Sequence, residues 1–478
     1  MRTGYRVESV RGAERELMGR LPEGALMQRA AAGLAVACAE LVGRVYGTRV
    51  VLLVGSGDNG GDALYAGARL ARRGAGVVAV LLAPERTHSG GLAALRRAGG
   101  TAVAPEGAEP LIRRADLVVD GIVGIGGKGG LRPDAARLAA LAEDGPGAVV
   151  AVDLPSGVEA DSGQVLGAAV RADLTVTFGT HKPGLLVDPA REYAGALRFV
   201  DIGLGSVLPA VAEVEALQHA DVARLLPLPG SESDKYRRGV VGIAAGSTRY
   251  PGAAVLAVAG ALRGGAGAVR YVGPAADAVI ARFPEVLVSD RGAAKAGRVQ
   301  AWVVGPGAGD DADAVAEVLG MDVPVLLDAD GLRLASRDAV RGRAAPTLMT
   351  PHAGEAAALL GVEREEVEGA RLASVRELAA RYGATVLLKG STTLVAGPDG
   401  GPVRVNPTGT PWLATAGSGD VLSGLGGALL AAGLSAVDAG SVAAYLHGLA
   451  GRFAADGAPV GAADVAEGIV GAWRSVRG

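Results

Sequence analysis

The chain has 478 residues, of which 49% are apolar and 20% charged, and its formal net charge is −3. This length predicts two or three domains, and the nearly balanced charge argues against a nucleic-acid-binding protein. The single cysteine, Cys38, excludes an intrachain disulfide and fits a reducing cytoplasm. The first twenty residues lack the apolar core of a signal peptide. We therefore expect a cytoplasmic chain without a membrane or nucleic-acid partner.

The N-terminal half alternates short β-branched runs with Ala-rich helices. Helical patterns cover residues 10–46 and are interrupted at Pro22 and Gly24. The alternation that follows predicts a mostly parallel sheet covered on both faces. Strands are predicted at 49–54, 77–82, 117–123, 148–153, 174–178 and 197–202, and helices at 62–73 and 133–143.

A second α/β series begins after residues 203–230, which show no clear strand pattern. Its predicted strands are 239–244, 301–304, 323–327 and 385–388, its first helix is 252–263, and helices near 420–432, 436–456 and 461–475 close the chain. The uncharged stretch 421–437 is short for a membrane span and predicts a buried helix. Because no short-period repeat is present, we expect two unlike α/β domains.

The first glycine-rich segment, GSGDNGGD at 55–62, follows a predicted strand and opens a helix. Glycines allow the backbone to approach a phosphate, and a helix N-terminus offers free N–H groups to an anion. The segment contains G-x-G-x-x-G, so a dehydrogenase with a dinucleotide site is one alternative. However, Asp58 and Asp62 would place two carboxylates beside a pyrophosphate, which is electrostatically unfavourable.

Further oxygen ligands follow other predicted strands. Asp120 ends one strand, and Asp153 and Ser156 follow the next in the segment DLPSG. The carboxyl ends of parallel strands converge on one crevice, so Asn59, Asp120 and Ser156 can meet there. An amide oxygen, a carboxylate and a hydroxyl suit a hard cation. Each aspartate alone could merely cap a helix or turn, but three such groups at three strand ends favour a ligand site.

Segments 55–62, 120–130 and 153–157, together with MQRA at 27–30, resemble the signature segments of the NAD(P)H-hydrate epimerase domain over residues 1–205. Asp58 and Ala63 stand where that family often has Asn and Gly. The resemblance implies a Rossmann-like, doubly wound domain that holds K⁺ through Asn59, Asp120 and Ser156, with Asp153 and Lys128 as candidates for proton transfer. The implied substrate contacts are Asp58, Asn59, Gly60, Gly61, Asp62, Gly124, Ile125, Gly126, Gly127, Lys128, Gly129, Gly130 and Asp153.

The segment TAGSGD at 415–420 precedes an apolar helix in the second half. Consecutive N–H groups from Gly417 to Gly419 could stabilise the charge of a phosphoryl group in transfer. Asp420 could take the proton from an attacking hydroxyl. An aspartate that merely caps the helix explains the segment alone equally well.

Four other segments favour a phosphoryl-transfer site: KYRRG at 235–239, GPGAG at 305–309, PHAGE at 351–355 and KGSTT at 389–393. Their order resembles that of the ADP- or ATP-dependent NAD(P)H-hydrate dehydratases, which have a ribokinase-like fold, across residues 225–478. The resemblance implies contacts of the hydrated nucleotide with Ala254, Gly307, His352 and Asp420. It implies contacts of the adenine nucleotide with Lys389, Gly390, Ser391, Thr392, Thr393, Gly417, Ser418 and Gly419.

The sequence thus predicts a two-domain α/β enzyme that repairs hydrated NADH and NADPH, with residues 206–224 as the linker. The N-terminal domain would interconvert the R and S hydrates. The C-terminal domain would dehydrate the S hydrate with ADP, accompanied by Mg²⁺, and release AMP and phosphate. A homo-oligomer is expected. The main alternative is a ribokinase-like small-molecule kinase fused to a non-catalytic nucleotide-binding module, which would share Asp420 but leave the N-terminal aspartates unexplained.

Overall fold

A computed structural model describes all residues, 1–478. The chain divides into two compact units, one formed by Thr3–Glu213 and the other by Met1–Arg2 with Val214–Gly478. This division lies inside the segment 206–224 that we predicted as a linker. The second half of that segment contains the strand Val214–Ala216 and the helix His219–Leu225.

The first unit confirms the predicted alternation of strands and helices. The chain begins with the short strand β1 (Arg2–Gly4), which belongs to the sheet of the second unit. The elements of the first unit are, in chain order, α1 (Val7–Met18), α2 (Ala25–Val42), β2 (Arg49–Val54), α3 (Asp58–Arg72), β3 (Gly76–Leu81), α4 (Ser89–Arg97), β4 (Thr101–Val103), α5 (Glu109–Ile112), β5 (Leu117–Gly121), α6 (Pro133–Glu143), β6 (Ala148–Val152), β7 (Leu174–Phe178) and β8 (Ala196–Val200).

Strands β2 to β8 form a parallel sheet in the order β4-β3-β2-β5-β6-β7-β8. The chain runs from β2 towards one edge and then returns to β5 to build the other half. The switch of direction therefore lies between β2 and β5, and a crevice opens there because the connections leave to opposite sides. Segment 55–62 follows β2, and Asp120 lies at the end of β5.

Helix α2 is a core helix of this unit, although by length and composition it is apolar enough to cross a membrane. Its buried side chains include Ala31, Leu34 and Cys38, none of which has any exposed surface. They pack in the same hydrophobic cluster as Leu52 and Val54 of β2. Burial also raises the pKa of the Cys38 thiol to about 12, which suits a packing role.

The second unit begins with a short strand and contains the remaining elements. These are β9 (Val214–Ala216), α7 (His219–Leu225), α8 (Lys235–Arg238), β10 (Val240–Ala244), α9 (Pro251–Arg263), β11 (Ala268–Val272), α10 (Ala276–Arg282), β12 (Leu287–Ser289), β13 (Ala301–Val304), α11 (Ala312–Leu319), β14 (Val325–Leu327), α12 (Asp330–Leu334), α13 (Arg337–Arg341), β15 (Thr347–Met349), α14 (Ala353–Leu360), α15 (Arg364–Gly369), α16 (Arg371–Tyr382), β16 (Thr385–Leu388), β17 (Thr393–Ala396), β18 (Val403–Asn406), α17 (Ser418–Ala431), α18 (Ala436–Ala455) and α19 (Ala462–Arg477).

The sheet of this unit has the order β1-β9-β18-β17-β16-β15-β14-β13-β10-β11-β12. Strands β10 to β16 pair in parallel, whereas β17 is antiparallel to both β16 and β18. The parallel strands bring the segments after β10, β13, β14, β15 and β16 to one edge of the sheet. The antiparallel turn between β16 and β17 places residues 389–392 at that same edge.

Helices α9 and α17 approach each other very closely because both carry glycine at the contact. A Cβ placed on Gly424 would lie 1.8 Å from the carbonyl oxygen of Ala257, and one on Gly260 would lie 2.1 Å from that of Val421. No side chain can be accommodated at such distances without moving the helices apart. This contact sets the position of α17, whose N-terminus carries Asp420.

We predict that Gly424→Ala destabilises the second unit by about 2 kcal/mol or more, because the new methyl group separates two packed helices. Gly252→Ala is the matched control, since Gly252 lies in the exposed first turn of α9 with no atom within 4 Å of its Cβ position. That change should be neutral or stabilise by about 0.5 kcal/mol. Urea unfolding of the full chain measures both; equal stability of the two variants would contradict the prediction.

Candidate functional sites at two strand edges

The first site forms where α3 begins. The helix starts at Asp58 and not at Asp62 as we predicted, so residues 58–61 belong to its first turn. The reason is close packing: Cβ atoms at Gly60 and Gly61 would lie 2.5 Å from the carbonyl oxygen of Gly55 and 2.9 Å from Met27 Cε. Glycine at these positions lets the helix begin directly against the strand end.

Asp120 and Ser156 are joined, as the sequence predicts for two groups at neighbouring strand ends. The Ser156 hydroxyl donates to Asp120 Oδ1 at 2.6 Å, and the Ser156 N–H donates to Oδ2 at 2.8 Å. Asp120 is fully buried, and its pKa is raised to about 6 by burial, against the lowering effect of the Ser156 bonds. All its hydrogen-bond donors are uncharged, so this buried carboxylate lacks a cationic partner from the protein.

Asn59 lies beside this pair. Its Nδ2 donates to the Val152 carbonyl at 2.5 Å, which orients the amide. Its Oδ1 faces Gly124, where a Cβ would lie only 2.3 Å away. The Val123 carbonyl is 3.1 Å from Ser156 Oγ. Carboxylate, hydroxyl, amide and carbonyl oxygens are thus within one small region, and this donor set fits a hard monovalent or divalent cation.

A cavity of about 690 Å³ opens next to these groups. Most of the predicted substrate contacts line it: Asp58, Asn59, Asp62, Gly124, Ile125, Gly126, Gly127 and Asp153. Gly60 and Gly61 serve the packing of α3 instead. Lys128, Gly129 and Gly130 lie outside the lining, and Lys128 is exposed. The structure therefore does not bring Lys128 to the cavity wall, where our proton-transfer assignment would need it.

A buried lysine that we did not assign to the site contacts Asp153. Lys182 is 1% exposed, and its ammonium group donates to Asp153 Oδ1, to Thr177 Oγ1 at 3.2 Å and to the Phe178 carbonyl at 3.3 Å. Asp153 itself has a φ of 67°, a conformation that few residues other than glycine adopt. The ion pair and the strained backbone together fix the Asp153 carboxylate at the cavity wall.

Asp62 lines the same cavity, but carboxylates surround it instead of an ammonium group. It is 6% exposed, and its Oδ1 has no hydrogen-bond partner. Burial raises the pKa of this carboxyl well above its usual range. The charges of Asp153, Asp58 and Glu14 raise it further, in that order. Two aspartates of one cavity thus have distinct surroundings, one beside an ammonium group and one among carboxylates.

The second site lies at the edge where β14, β15 and β16 end. Lys389 Nζ donates to Asp328 Oδ1 at 2.8 Å and lies 3.7 Å from Glu355 Oε2. Asp328 is buried and accepts a further bond from Ser423 Oγ of α17 at 2.6 Å. A Cβ on Gly419 would lie 3.6 Å from Lys389 Nζ. The structure thereby unites the predicted lysine with the N-terminus of α17.

Asp420 projects from the first turn of α17 beside this pair. Burial raises its pKa to about 7; the charge of Asp328 adds to the increase and that of Lys389 opposes it. Burial alone lowers the pKa of Lys389, but Asp328 and Glu355 raise it above its usual value. At neutral pH the site therefore combines a lysine cation with a carboxyl group poised near its midpoint, as general-base catalysis requires.

Three predicted substrate contacts have structural partners. His352 caps α14, since its Nδ1 accepts from the N–H groups of Gly354 and Glu355 at 3.0 and 3.2 Å, but the ring is exposed. Ala254 is fully buried in α9. Gly307 has a φ of 60°, and a Cβ there would lie 2.6 Å from that of Ala253. His352 and Gly307 thus have roles in the fold itself, as a helix cap and in a tight turn.

The Arg371 side chain contacts the backbone of residues 389–393, the loop that we predicted to bind the nucleotide. Its buried guanidinium donates to the carbonyl groups of Leu388, Lys389 and Thr392 at 3.3, 3.0 and 3.1 Å. A Cβ on Gly390 would lie 2.3 Å from Arg371 Nη2, which explains the glycine. Sequence reasoning missed this residue because its role depends on a helix, α16, that precedes the loop in the chain.

His447 fixes the start of α17. Its Nε2–H donates to the Ser418 carbonyl at 2.9 Å, and burial lowers the pKa of the imidazole to about 4. Ser418 Oγ in turn donates to the Leu413 carbonyl at 2.7 Å. The neutral histidine thus holds the turn at the start of α17 in place. Nothing local in the sequence marks it, since it lies in the middle of the long apolar helix α18.

Two family descriptions match the chain. Residues 23–184 match the family described as YjeF-related protein N-terminus, and residues 241–469 match the family described as NAD(P)H-hydrate dehydratase. The bifunctional NAD(P)H-hydrate repair enzyme Nnr of Mycobacterium leprae is 50% identical over 465 residues, which cover 95% of this chain and 94% of that protein. The enzyme of the same name from Corynebacterium glutamicum is 39% identical, with 80% and 78% covered.

Solved structures show the same likeness. The ADP/ATP-dependent NAD(P)H-hydrate dehydratase of Bacillus subtilis, co-crystallised with ATP and Mg²⁺, aligns with 55% of this chain and 99% of its own at a TM-score of 0.51 and 29% identity. A ribokinase-like superfamily protein of Enterococcus faecalis aligns with 55% of this chain and 96% of its own, with a TM-score of 0.50 and 23% identity, which supports the fold alone. The predicted fold class is confirmed.

We predict that Arg371→Met destabilises the second unit by about 2 kcal/mol or more, because buried carbonyl groups lose their donor. The matched control is Arg364→Met: Arg364 is exposed and pairs only with Glu368, four residues along the same helix. Its loss should cost about 0.5 kcal/mol or less. Chemical unfolding measures the free energy of unfolding of both variants. An Arg371→Met protein as stable as the control would show that the loop does not depend on the guanidinium.

Proposed function

Because the chain belongs to the family of bifunctional NAD(P)H-hydrate repair enzymes, it carries an NAD(P)H-hydrate epimerase and an NAD(P)H-hydrate dehydratase, and we propose that each activity uses the strand-edge site of one unit. We assign the epimerase to Thr3–Glu213 and the dehydratase to the unit containing Val214–Gly478. The observation that carries the second assignment is Asp420, held at a helix N-terminus beside Lys389.

The dehydratase site meets the needs of phosphoryl transfer. The hydrate's hydroxyl is a poor leaving group, so it first becomes a phosphate ester. Asp420 accepts the hydroxyl proton as the oxygen attacks the terminal phosphorus of ADP, and AMP leaves. The N–H groups at the start of α17 and the Lys389 ammonium neutralise the charge of the phosphoryl group in transfer. Elimination of phosphate with a ring proton then restores the double bond of NAD(P)H.

We propose ADP as the nucleotide and Mg²⁺ as its metal ion. We infer ADP as the phosphoryl donor because the dehydratase is fused to an epimerase domain. The related Bacillus subtilis enzyme is named as ADP/ATP-dependent. Asp328 and Glu355 both face Lys389, so we place Mg²⁺ mainly on the nucleotide phosphates, where it would neutralise negative charge. The adenine nucleotide would bind at the sheet edge that the predicted contact residues share. These are Lys389, Gly390, Ser391, Thr392, Thr393, Gly417, Ser418 and Gly419.

For the epimerase half we propose that the cavity beside α3 binds the hydrated nicotinamide and that Asn59, Asp120 and Ser156 hold K⁺. The support is the buried Asp120 carboxylate, which has no protein cation near it. A bound K⁺ would supply positive charge that fixes the loop 121–127 against α3. Asp153, at the wall, is the proton-transfer group. We further propose a cytoplasmic location and a homo-oligomeric state.

We predict that dehydration rises with pH through about 7, the pKa of Asp420, because only the ionised carboxyl accepts the proton. Asp420→Asn should lower kcat for the S hydrate by about 100-fold or more and leave conversion of the R to the S hydrate intact. The rate of dehydration is measured from NADH absorbance, with ADP and with ATP. Conversion of the R to the S hydrate is measured by chromatography of the epimers. Full dehydration by Asp420→Asn would refute the base assignment.

We also predict that K⁺ raises the thermal stability of the wild-type epimerase unit, because a ligand that binds only the folded state stabilises it. Asp120→Asn and Ser156→Ala should lose this response. Asp134→Asn, which changes an exposed carboxylate in the first turn of α6, should retain it. Thermal unfolding in KCl is compared with tetramethylammonium chloride at equal ionic strength; an unchanged response in Asp120→Asn would remove Asp120 from the cation site.

A further inference from the structure

Asp62 is a buried carboxyl group whose surroundings provide no reason for its burial in the folded protein alone. It is 6% exposed, its Oδ1 has no hydrogen-bond partner, and it lines the epimerase cavity. A buried polar atom without a partner costs free energy, so such groups are retained mainly where a ligand completes them. The first turn of α3 points this group at the position that a substrate would occupy.

The charged groups that face Asp62 come from several elements. Glu14 and Arg11 lie on α1, Asp58 on α3 itself, and His88 just before α4. Asp153 follows β6, with Lys182 against it. Carboxylates predominate at close range, and burial with these charges raises the pKa of Asp62 well above its usual range. These surroundings favour the protonated form of Asp62, which can donate its proton.

Asp153 is the opposite case. Its Oδ1 accepts from Lys182, from Thr177 Oγ1 at 3.1 Å and from the Phe178 N–H at 3.1 Å. Three donors, one of them cationic, hold this carboxylate in one position at the cavity wall. All three ammonium acceptors of Lys182 are within the protein, so this lysine has no remaining donor for a substrate. Two carboxyl groups in one cavity with different surroundings are a usual arrangement for acid–base catalysis.

The chemistry of the hydrate gives such a pair a role. Water adds to the enamine double bond of a dihydronicotinamide so that the hydroxyl joins the carbon bonded to the ring nitrogen, because nitrogen stabilises positive charge there. A direct route to inversion of that carbon breaks its C–O bond and forms a new one on the opposite ring face. An acid must protonate the departing hydroxyl, and a base must deprotonate the entering water.

We propose that Asp62 and Asp153 are this acid–base pair of the epimerase, and that Lys182 is the positioning residue that orients the Asp153 carboxylate. The inference rests on the proposed location of the epimerase in this cavity and adds the roles within it. Lys128, our sequence-based candidate, is exposed and lies outside the cavity lining.

The step balances without a further reactant. Asp62 gives its proton to the hydroxyl oxygen, the C–O bond breaks with its electron pair on oxygen, and water leaves while the ring nitrogen shares its lone pair with the carbon. A water molecule then adds to the opposite face and gives one proton to Asp153. The proton has moved from Asp62 to Asp153, and the reverse conversion, or exchange with solvent, returns it. No electrons are gained or lost, since substrate and product are isomers.

The test uses the full chain, because its dehydratase half reports the S hydrate independently. Asp62→Asn should slow conversion of purified R hydrate by about 100-fold or more, with consumption of S hydrate unchanged. Asp134→Asn is the matched control and should convert R hydrate at the wild-type rate. If wild type itself fails to convert R hydrate, the epimerase assignment fails; if wild type converts and folded Asp62→Asn converts within threefold of it, the acid role is wrong.

The pH dependence separates catalysis from folding. Wild-type conversion should decrease as pH rises through the pKa of Asp62, because the acid is lost, and Asp62→Glu should retain a limb of this kind at a shifted position. Lys182→Met should lower kcat more than it raises KM, because the Asp153 carboxylate then loses the contact that holds it in position. Lys182→Arg should restore part of the rate. Equal kcat and KM for wild type and folded Lys182→Met would refute the positioning role.

Discussion

A buried lysine paired with an aspartate lies beneath the site of each unit: Lys182 with Asp153 and Lys389 with Asp328. Removing either partner would leave an uncompensated charge in a poorly hydrated region, which is among the most destabilising single changes a protein can undergo. The pair is tolerated because further hydrogen bonds complete both members. Each pair therefore places fixed charges beside the neighbouring carboxyl groups, and the proposed chemistry of both sites depends on these charges.

The two pairs act on their neighbours in different ways. Lys389 lies close enough to Asp420 to oppose the effects of burial and of Asp328, so the Asp420 pKa settles near 7. In the first unit the Lys182 ammonium is occupied by Asp153, Thr177 and Phe178, and Asp62 experiences mainly the negative charges around it. One site thus has a carboxyl group suited to accept a proton, and in the other the surroundings of Asp62 favour its protonated form. The same residue types serve opposite roles because burial and neighbouring charge differ.

The sequence predicted the architecture well because parallel strands are buried on both faces and read as β-branched runs, as in 49–54 and 174–178. It located Asp120 and Ser156 because turn residues after such runs converge in space, and Asp420 because a glycine-rich turn precedes an apolar helix. It did not predict short edge strands such as Thr101–Val103 or the antiparallel pair at 393–406, whose patterns are too brief to distinguish from loops. Asp328 directly follows a predicted strand, so the signal that identified Asp120 was available for it. Arg371 and His447 act from distant helices, where only the fold reveals their partners.

Lysine usage offers a final physical link between composition and mechanism. Lysine occurs at only five positions, while Lys and Arg together number 47, and two of the five carry the buried pairs. A guanidinium spreads its charge over a plane and needs acceptors arranged around that plane. The acceptors around Lys182 surround a single nitrogen, and two of them lie within five residues of it in sequence. A compact ammonium group satisfies this geometry and concentrates its charge on one carboxylate oxygen, whereas Arg343 uses its planar fork, with Nε donating to Thr347 Oγ1 and the two terminal nitrogens to the Leu319 and Val323 carbonyl groups. The choice between the two cations therefore follows from whether a position must fix one charge or several backbone segments.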